Sequence, residues 1–257
     1  MQEGKRLMDT GKQLYLDLMK RCLTNLIYQD RSSLLGQDLS FDLRNRVEGR
    51  DWPANAHTMI GIHRLDNLHF CVEDVLARKV PGDLMETGVW RGGAAILMRA
   101  ILKVNGVTDR RVWCADSFEG LPPPNPAKYP LDADLKFNQF KELAVSLEEV
   151  QTNFRRYNLL DDQVRFLKGW FRDTLPRAPV ERLAVLRLDG DLYESTMDAL
   201  SALYPKVSRG GYVIIDDYND IPASRQAVQD YRQRNGIDDE IMGIDWSGVF
   251  WMKQGKG

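Results

Sequence analysis

Between residues 83 and 234 the chain repeats one pattern: a short apolar stretch, a polar or glycine-rich break, and then an amphipathic stretch. Nearly continuous apolar stretches are typical of strands buried on both faces, and the helical stretches between them can cover those faces. The alternation therefore predicts an α/β fold built on a parallel sheet. The predicted strands are 83–88, 111–118, 163–170, 183–190 and 211–218, and the predicted helices are 94–104, 147–157, 193–207 and 221–234.

The two ends of the chain depart from this repeat. Apolar residues at helical spacing predict a helix over 12–29, and a second helix is predicted over 57–79, ending before the turn sequence VPGD. The polar segment 31–56 between them is predicted to be irregular. The sequence DEIMGIDWSGVFWMK near the end predicts two strands around a turn, and we expect them to pair antiparallel because no helix separates them.

Composition excludes several classes of partner. A formal net charge of −2 offers no general attraction to nucleic acid or to an anionic membrane. No apolar run approaches the roughly 20 residues that span a bilayer, and the polar first residues do not resemble a signal peptide. Cys22, Cys71 and Cys114 are odd in number and far apart, which favours reduced thiols over a disulfide framework or a zinc site. We therefore expect a cytoplasmic protein.

The sequence ETGVWRGG, residues 86–93, follows the first predicted strand of the sheet, and loops in that position bind ligands in open α/β sheets. Gly88 stands where a dinucleotide loop has its first glycine, but Trp90 replaces the second glycine, which would admit a pyrophosphate. The loop therefore favours a cofactor without a pyrophosphate, one that carries an adenosine. Asp116, at the end of the next strand, could accept hydrogen bonds from both ribose hydroxyls, and Glu86 could meet an ammonium group or orient the loop. The alternative is a tight turn and a solvated acid.

Two later strands end in carboxylates, Asp189 and Asp191 after one and Asp216 and Asp217 after the other. If these strands are neighbours, Asp189, Asp216 and Asp217 meet at one edge of the sheet and repel, unless one is protonated or a cation binds. An all-carboxylate set suits hard ions such as Mg²⁺, Mn²⁺ or Ca²⁺. For Asp191 we favour a cap on the following helix, and capping is the alternative role for Asp217.

Long motifs along the chain resemble the macrocin O-methyltransferase family. They are ETGVWRGG, ADSFEGLP, LDDQVRFLKGWF, LAVLRLDGDLYEST and GGYVIIDDY, with LYLDLMKRCLTNLIYQD and AHTMIG nearer the start. Members methylate sugar hydroxyls of macrolide and aminocoumarin antibiotics, and the mycinamicin and novobiocin tailoring enzymes are examples. The resemblance covers nearly the whole chain. It implies a Rossmann-like class I methyltransferase fold: a mostly parallel seven-stranded sheet with a final antiparallel strand, plus N-terminal helices.

The resemblance also implies S-adenosylmethionine as the methyl donor and Mg²⁺ at the reaction centre. The implied metal ligands are Asp189, Asp216 and Asp217, and Asp189 is also the implied general base. It would take a proton from an acceptor hydroxyl, which then attacks the sulfonium methyl group. The residues implied for the cofactor are Thr58, Met59, Glu86, Thr87, Gly88, Val89, Trp90 and Gly92 around the methionine end, and Asp116, Ser117, Gly169 and Trp170 around the ribose and adenine.

We divide the chain into an N-terminal helical extension, 1–79, and a methyltransferase domain, 80–257. Five prolines in GLPPPNPAKYP exclude a helix or a central strand, and the segment at about 119–146 resembles the family's lid over the acceptor. The N-terminal helices carry more apolar surface than a small appendage can bury. We therefore expect them to pack on the catalytic domain and to join copies into a homo-oligomer, while the expected small-molecule partner is a glycoside acceptor.

Three alternatives stay open at this point. A catechol-type O-methyltransferase acting on an aromatic vicinal diol would use the same cofactor and metal. A metal-dependent hydrolase could use the acids with water, but it would give Asp116 no role. A non-catalytic nucleotide-binding module would bind the cofactor without retaining a metal.

Overall fold

A computed structural model of the chain describes residues 2–34 and 37–255. Within these residues the chain forms helices and strands in the alternation that the sequence predicts. The helices are α1 Gln2–Leu23, α2 Leu43–Glu48, α3 Gly61–Ala77, α4 Gly93–Val104, α5 Leu147–Arg156, α6 Phe171–Thr174, α7 Tyr193–Leu203 and α8 Pro222–Arg234. The strands are β1 Ser32–Leu34, β2 Gln37–Leu39, β3 Trp52–Pro53, β4 Asp83–Thr87, β5 Val112–Asp116, β6 Val164–Lys168, β7 Leu183–Leu188, β8 Val207–Ile215, β9 Met242–Gly243 and β10 Val249–Met252.

In the described part of the chain, the main sheet has seven strands in the order β6-β5-β4-β7-β8-β10-β9. The five strands from β6 to β8 pair parallel, whereas β10 pairs antiparallel with both β8 and β9. Every residue of β7 is buried, as expected for a strand covered on both faces. The predicted parallel sheet with an antiparallel end is confirmed.

The direction of the strand order reverses between β4 and β7. The chain runs outward from β4 to β6 and then returns to the other side of β4, so a crevice opens where the two halves part. In register, Thr87 lies beside Leu188, and Leu188 lies beside Ile215. The residues that follow these strand ends, among them Gly88, Asp189 and Asp216, are therefore brought together.

The N-terminal helices pack on the main sheet and its helices. Leu16, Met19 and Leu23 of α1 are buried in the same apolar cluster as the residues of α4, and α3 contacts β7 and β8. The first helix is predicted over 12–29. It is observed at Gln2–Leu23, so it begins and ends earlier than predicted. Whether residue 79 separates two domains stays a prediction.

The segment 31–56 is more ordered than its polar sequence predicts. Strands β2, β1 and β3 form a small antiparallel sheet, and Asp42 caps α2 by accepting from the backbone of Asn45. The organising group is Arg46, which is buried and pairs with Asp30 at 2.7 Å and Asp51 at 2.9 Å. The expectation of an irregular segment is wrong here, because buried ion pairs leave no hydrophobic period in the sequence.

Residues 119–146 connect β5 to α5 through three short 3₁₀ turns, at Pro130–Asp132, Phe137–Gln139 and Lys141–Leu143. We call this segment the lid. Across the described ranges, no helix is both long enough and apolar enough to cross a membrane.

Candidate active site

A cavity of about 410 Å³ lies beyond the carboxyl ends of β4, β5, β7 and β8. Its volume is in the range of small-molecule sites. Most of the residues predicted for the cofactor and the metal line it: Thr58, Met59, Glu86, Gly88, Val89, Trp90, Asp116, Ser117, Trp170, Asp189, Asp216 and Asp217. Three predicted residues, Thr87, Gly92 and Gly169, are not among the residues that line it.

The loop after β4 passes very close to the backbone that follows β7. Gly88 has φ +77°, and a Cβ atom built on it would lie 1.7 Å from the carbonyl oxygen of Asp189. At the start of α4, a Cβ on Gly93 would lie 2.5 Å from the carbonyl oxygen of His57. These two glycines are therefore needed because another backbone segment approaches each of them closely.

Trp90 adopts φ +45°, an uncommon conformation for a bulky side chain. Its indole Nε1 donates to the carbonyl oxygen of Glu142 in the lid at 2.8 Å, and the Arg91 guanidinium lies 4.1 Å from the centre of its ring. Strained residues of this kind concentrate at ligand sites. Trp90 therefore ties the predicted cofactor loop to the lid.

Asp116 is bound by the protein's own backbone. Its Oδ2 accepts from the amide of Val89 at 2.8 Å, and its Oδ1 accepts from the amide of Phe118 at 2.7 Å. Burial raises the pKa of Asp116, and these amide donors oppose the shift. Asp116 thus holds the loop after β4 against the end of β5, whether or not it also contacts a ribose.

Glu86 is a buried residue whose carboxylate is bound by other groups of the protein. Its Oε2 accepts from the amide of Ala95 in α4 at 3.0 Å, and its Oε1 accepts from Arg187 Nη1 at 2.7 Å. Burial raises the pKa of Glu86, and Arg187 counteracts this effect. Of the two roles predicted for Glu86, the geometry favours orienting the loop.

Asp189, Asp191 and Asp217 converge at the floor of the cavity. One carboxylate oxygen from each lies within 4.8 Å of the others. Burial and repulsion by neighbouring carboxylates raise the pKa values of all three, and burial together with Asp216 raises that of Asp189 to about 6. The buried Oδ2 of Asp217 has no hydrogen-bond partner among the described residues. An orphaned carboxylate oxygen among repelling carboxylates fits a hard divalent cation.

Asp216 faces a different environment from its neighbour Asp217. Its Oδ2 accepts from Arg64 Nη1 at 2.5 Å, and its Oδ1 pairs with Arg187 Nη2. Arg187 also donates to Asp189 Oδ2 at 2.9 Å. Both oxygens of Asp216 are thus occupied by guanidinium groups, and the acid that the structure brings to Asp189 and Asp217 is Asp191.

The interpretation of Asp191 as a helix cap is wrong. The residue at the N-cap of α7 is Leu192, and the first amides of the helix are bound from a distance by Asp132 of the lid. Asp191 itself has φ +55°. The local rule that an aspartate just before a helix caps it is overridden here, because Asp132, about sixty positions earlier in the chain, binds those amides.

Sequence analysis missed several residues that line the cavity. Among them are Arg64, Arg187, Glu194, Asp198 and Trp246. One signal was available: Arg187 is a charged residue inside the otherwise apolar strand VLRLDG, and a buried charge requires a partner. The partners of Arg187 are Glu86, Asp189 and Asp216, all of which the sequence indicates as candidate site residues.

Comparison with known proteins agrees with this geometry. The model of the macrocin O-methyltransferase family (TylF) matches residues 12–253. The chain belongs to this family. A Streptomyces olivaceus relative, 8-demethyl-8-(2,3-dimethoxy-alpha-L-rhamnosyl)-tetracenomycin-C 4'-O-methyltransferase, is 59% identical over 247 residues, which are 95% of this chain and 94% of the relative. The demethyldecarbamoylnovobiocin O-methyltransferase of Streptomyces niveus is 55% identical over 255 residues, 98% of this chain and 97% of the relative.

The structure of the O-methyltransferase NovP superposes on this macrocin O-methyltransferase family member with a TM-score of 0.91 at 56% identity, covering 95% of this chain and all of that one. The protein is therefore an S-adenosylmethionine-dependent O-methyltransferase with the class I fold. The hydrolase and the non-catalytic nucleotide-binding module are excluded.

Proposed function

We propose that this enzyme methylates a hydroxyl of a sugar carried by a glycosylated natural product, with the help of Mg²⁺. The acceptor class is supported by the two relatives, one named for a rhamnosyl-tetracenomycin and the other for a novobiocin precursor. Their identities to this chain are similar, at 59% and 55%, yet their acceptors differ. The relatives therefore support a glycoside as the class of acceptor.

The observation that carries the metal proposal is the orphaned Asp217 Oδ2 in the acid cluster. Asp189 and Asp217 are the ligands that both the sequence and the geometry support, and Asp191 is the third carboxylate within reach. Asp216 stays the third ligand predicted from the sequence. Its pairing with Arg64 and Arg187 favours a different role, in which it orients those two cations.

The cofactor proposal follows the loop after β4. Gly88, Val89 and Trp90 line the cavity at the end of this strand, with Thr58 and Met59 beside them. Asp116, Ser117 and Trp170 line the neighbouring part. We assign the methionine end of S-adenosylmethionine to the first group and its ribose and adenine to the second. Glu86 lines the cavity and orients the loop after β4, and Thr87, Gly92 and Gly169 are assigned to shaping these loops.

We assign the role of general base to Asp189. When bound, Mg²⁺ lowers the pKa of an acceptor hydroxyl and balances the negative charge of the alkoxide. In the metal-free protein, burial and Asp216 raise the pKa of Asp189 to about 6, so its carboxylate is mostly ionised at neutral pH and can accept a proton. Arg187 holds one of its oxygens and so fixes the direction of the carboxylate.

The lid supplies the remaining wall of the cavity. Leu121, Pro122, Phe137 and Leu143 line it from the lid side, and the lid is tied to the loop after β4 through Trp90. Apolar walls exclude water from the alkoxide and so strengthen its interactions with nearby positive charge. Acceptor choice is assigned to this segment and to Trp52, which lines the cavity and contacts Phe140 of the lid.

We further propose a homo-oligomer that forms through the N-terminal helix, in a cytoplasmic setting. Leu14 and Leu18 are one turn apart on α1 and are 66% and 53% exposed, although the opposite face of the same helix is buried. An apolar strip of this kind favours a second protein surface over water. A monomer by light scattering at micromolar concentration would contradict the assembly.

The proposed function is tested by calorimetric titration. S-adenosylmethionine should bind first, and a glycoside with two adjacent hydroxyls should then bind only in the presence of Mg²⁺. Catechol serves as the competing acceptor, since a catechol-type enzyme would prefer it. Methylation of catechol but of no glycoside would overturn the sugar proposal while leaving the methyltransferase assignment in place.

A further inference from the structure

Asp132 of the lid is a buried carboxylate that binds a helix belonging to another part of the chain. Its side chain has no exposed surface. Its Oδ1 accepts from the amide of Tyr193 at 2.7 Å, and its Oδ2 accepts from the amide of Glu194 at 3.1 Å. Both amides belong to the first turn of α7, where helices have unsatisfied donors. Asp132 therefore replaces the N-cap side chain that Leu192 lacks.

The residue displaced from capping is Asp191. It occupies the centre of a tight turn, in which the amide of Leu192 donates to the carbonyl oxygen of Gly190 at 2.5 Å. Its φ of +55° is a conformation that aspartate tolerates at some cost. In this conformation its carboxylate belongs to the cluster with Asp189 and Asp217 instead of the helix.

We infer that Asp132 is a positioning residue that couples closure of the lid to assembly of the acid cluster. With the lid closed, Asp132 satisfies the amides of α7, and Asp191 turns toward Asp189 and Asp217. Without the lid carboxylate, Asp191 is the nearest acid that precedes those amides in the sequence. It can then relieve both its own backbone strain and its repulsion by turning toward the helix. This inference rests on the proposed function, because it gives the acid cluster its role at the metal.

Other contacts locate the lid but do not compete for the same amides. The rings of Tyr129 and Tyr193 lie 5.8 Å apart, and Trp52 meets Phe140 edge-on at 5.4 Å. These ring contacts can keep the lid near the cavity when Asp132 is replaced. A substitution at Asp132 therefore removes the contact with α7 while these ring contacts still hold the lid, so the effect on the acid cluster can be measured separately from loss of the lid.

The test compares Asp132→Ala and the milder Asp132→Asn with Asp134→Ala, which removes an exposed aspartate from the same lid. Mn²⁺ binding is followed by electron paramagnetic resonance in the presence of S-adenosylhomocysteine, with folding checked by circular dichroism. We expect Asp132→Ala to weaken Mn²⁺ binding about tenfold, as loss of a supporting group around a metal site does. Asp132→Asn, which keeps one acceptor oxygen, should recover part of the loss, and Asp134→Ala should match the wild type.

A cap with a purely structural role predicts another result: a lower melting temperature with unchanged Mn²⁺ affinity. That outcome in a folded Asp132 variant would overturn the inference. Steady-state kinetics give a second readout, since loss of positioning should lower kcat more than it raises KM for S-adenosylmethionine. Wild-type enzyme that turns over without binding Mn²⁺ or Mg²⁺ would instead overturn the metal part of the proposed function, and the inference with it.

Discussion

Arg187 donates from Nη1 to Glu86 Oε1 at 2.7 Å, and this contact joins the strand that carries the cofactor loop to the strand that carries the proposed base. The same guanidinium reaches Asp189 and Asp216, so one buried cation holds carboxylates from three neighbouring strands. Such a group fixes the relative positions of the cofactor side and the metal side of the cavity.

Arg187→Met should destabilise the fold by about 3–5 kcal/mol, because it leaves buried carboxylates without their cation. Arg187→Lys should recover only part of this loss, since one ammonium group cannot bridge acids on three strands. Urea unfolding measures the effect. The control is Arg182→Met, at an exposed position just before β7. Equal stability of the Arg187 and Arg182 variants would contradict the proposed clamp.

Gly88→Ala should unfold the loop after β4 or abolish S-adenosylhomocysteine binding. The new Cβ would overlap the Asp189 carbonyl oxygen, and φ is +77°. Gly106→Ala is a matched control, because Gly106 also has a positive φ, +65°, but has nothing within 4 Å of an added Cβ. The control should lose only about 1–2 kcal/mol from backbone strain. Similar losses in both variants would mean that backbone strain, and not the close approach, explains Gly88.

Asp189→Asn should lower kcat by a factor of about 10² to 10⁴, the usual contribution of a positioned base. Binding of S-adenosylhomocysteine should stay close to that of the wild type, because the residues proposed to hold the cofactor do not include Asp189. Single-turnover kinetics and calorimetry measure the two quantities, with the exposed Asp162→Asn as control. Turnover at the wild-type rate would remove Asp189 from the base role.

Asp217→Asn should stabilise the metal-free protein and abolish its stabilisation by Mg²⁺. Burial and the neighbouring acids raise the pKa of Asp217, so its ionised form costs stability at neutral pH, and an amide removes that cost. Melting temperatures with and without Mg²⁺ measure both effects, and chelation of the wild type should abolish turnover until Mg²⁺ is restored. The exposed Asp173→Asn should retain the Mg²⁺ response. An undiminished Mg²⁺ response in Asp217→Asn would remove this ligand.

The residues at the ligand-binding edge of the sheet could be predicted from the sequence, because the carboxyl ends of parallel strands lie at the same edge. Once β4, β5, β7 and β8 were recognised as strands, the residues after them had to share one crevice. Gly88, Asp116, Asp189 and Asp217 all lie there. Their positions follow from the chain's local pattern and from one general rule about α/β sheets.

The partners of these residues could not be predicted in the same way. Arg64 lies on α3, more than 150 positions before Asp216, and meets it only because that helix packs on β7 and β8. Asp132 binds α7 across about sixty residues and so overrides the local capping rule at Asp191. Local sequence rules describe which groups can pair, whereas tertiary packing decides which ones do.

His57 should make the protein less stable as the pH falls. Burial and nearby arginines lower its pKa to about 4, and its Nδ1 lies 2.7 Å from the Tyr157 hydroxyl. The unfolded chain binds a proton near pH 6.5 but the folded protein does not, so stability is lost as the pH falls from 7 toward 4. Between pH 7 and 5, His57→Gln should lose about 1–2 kcal/mol less stability than the wild type in urea unfolding. The exposed His63→Gln should follow the wild-type profile, and parallel profiles for all three proteins would show that His57 does not control this pH dependence.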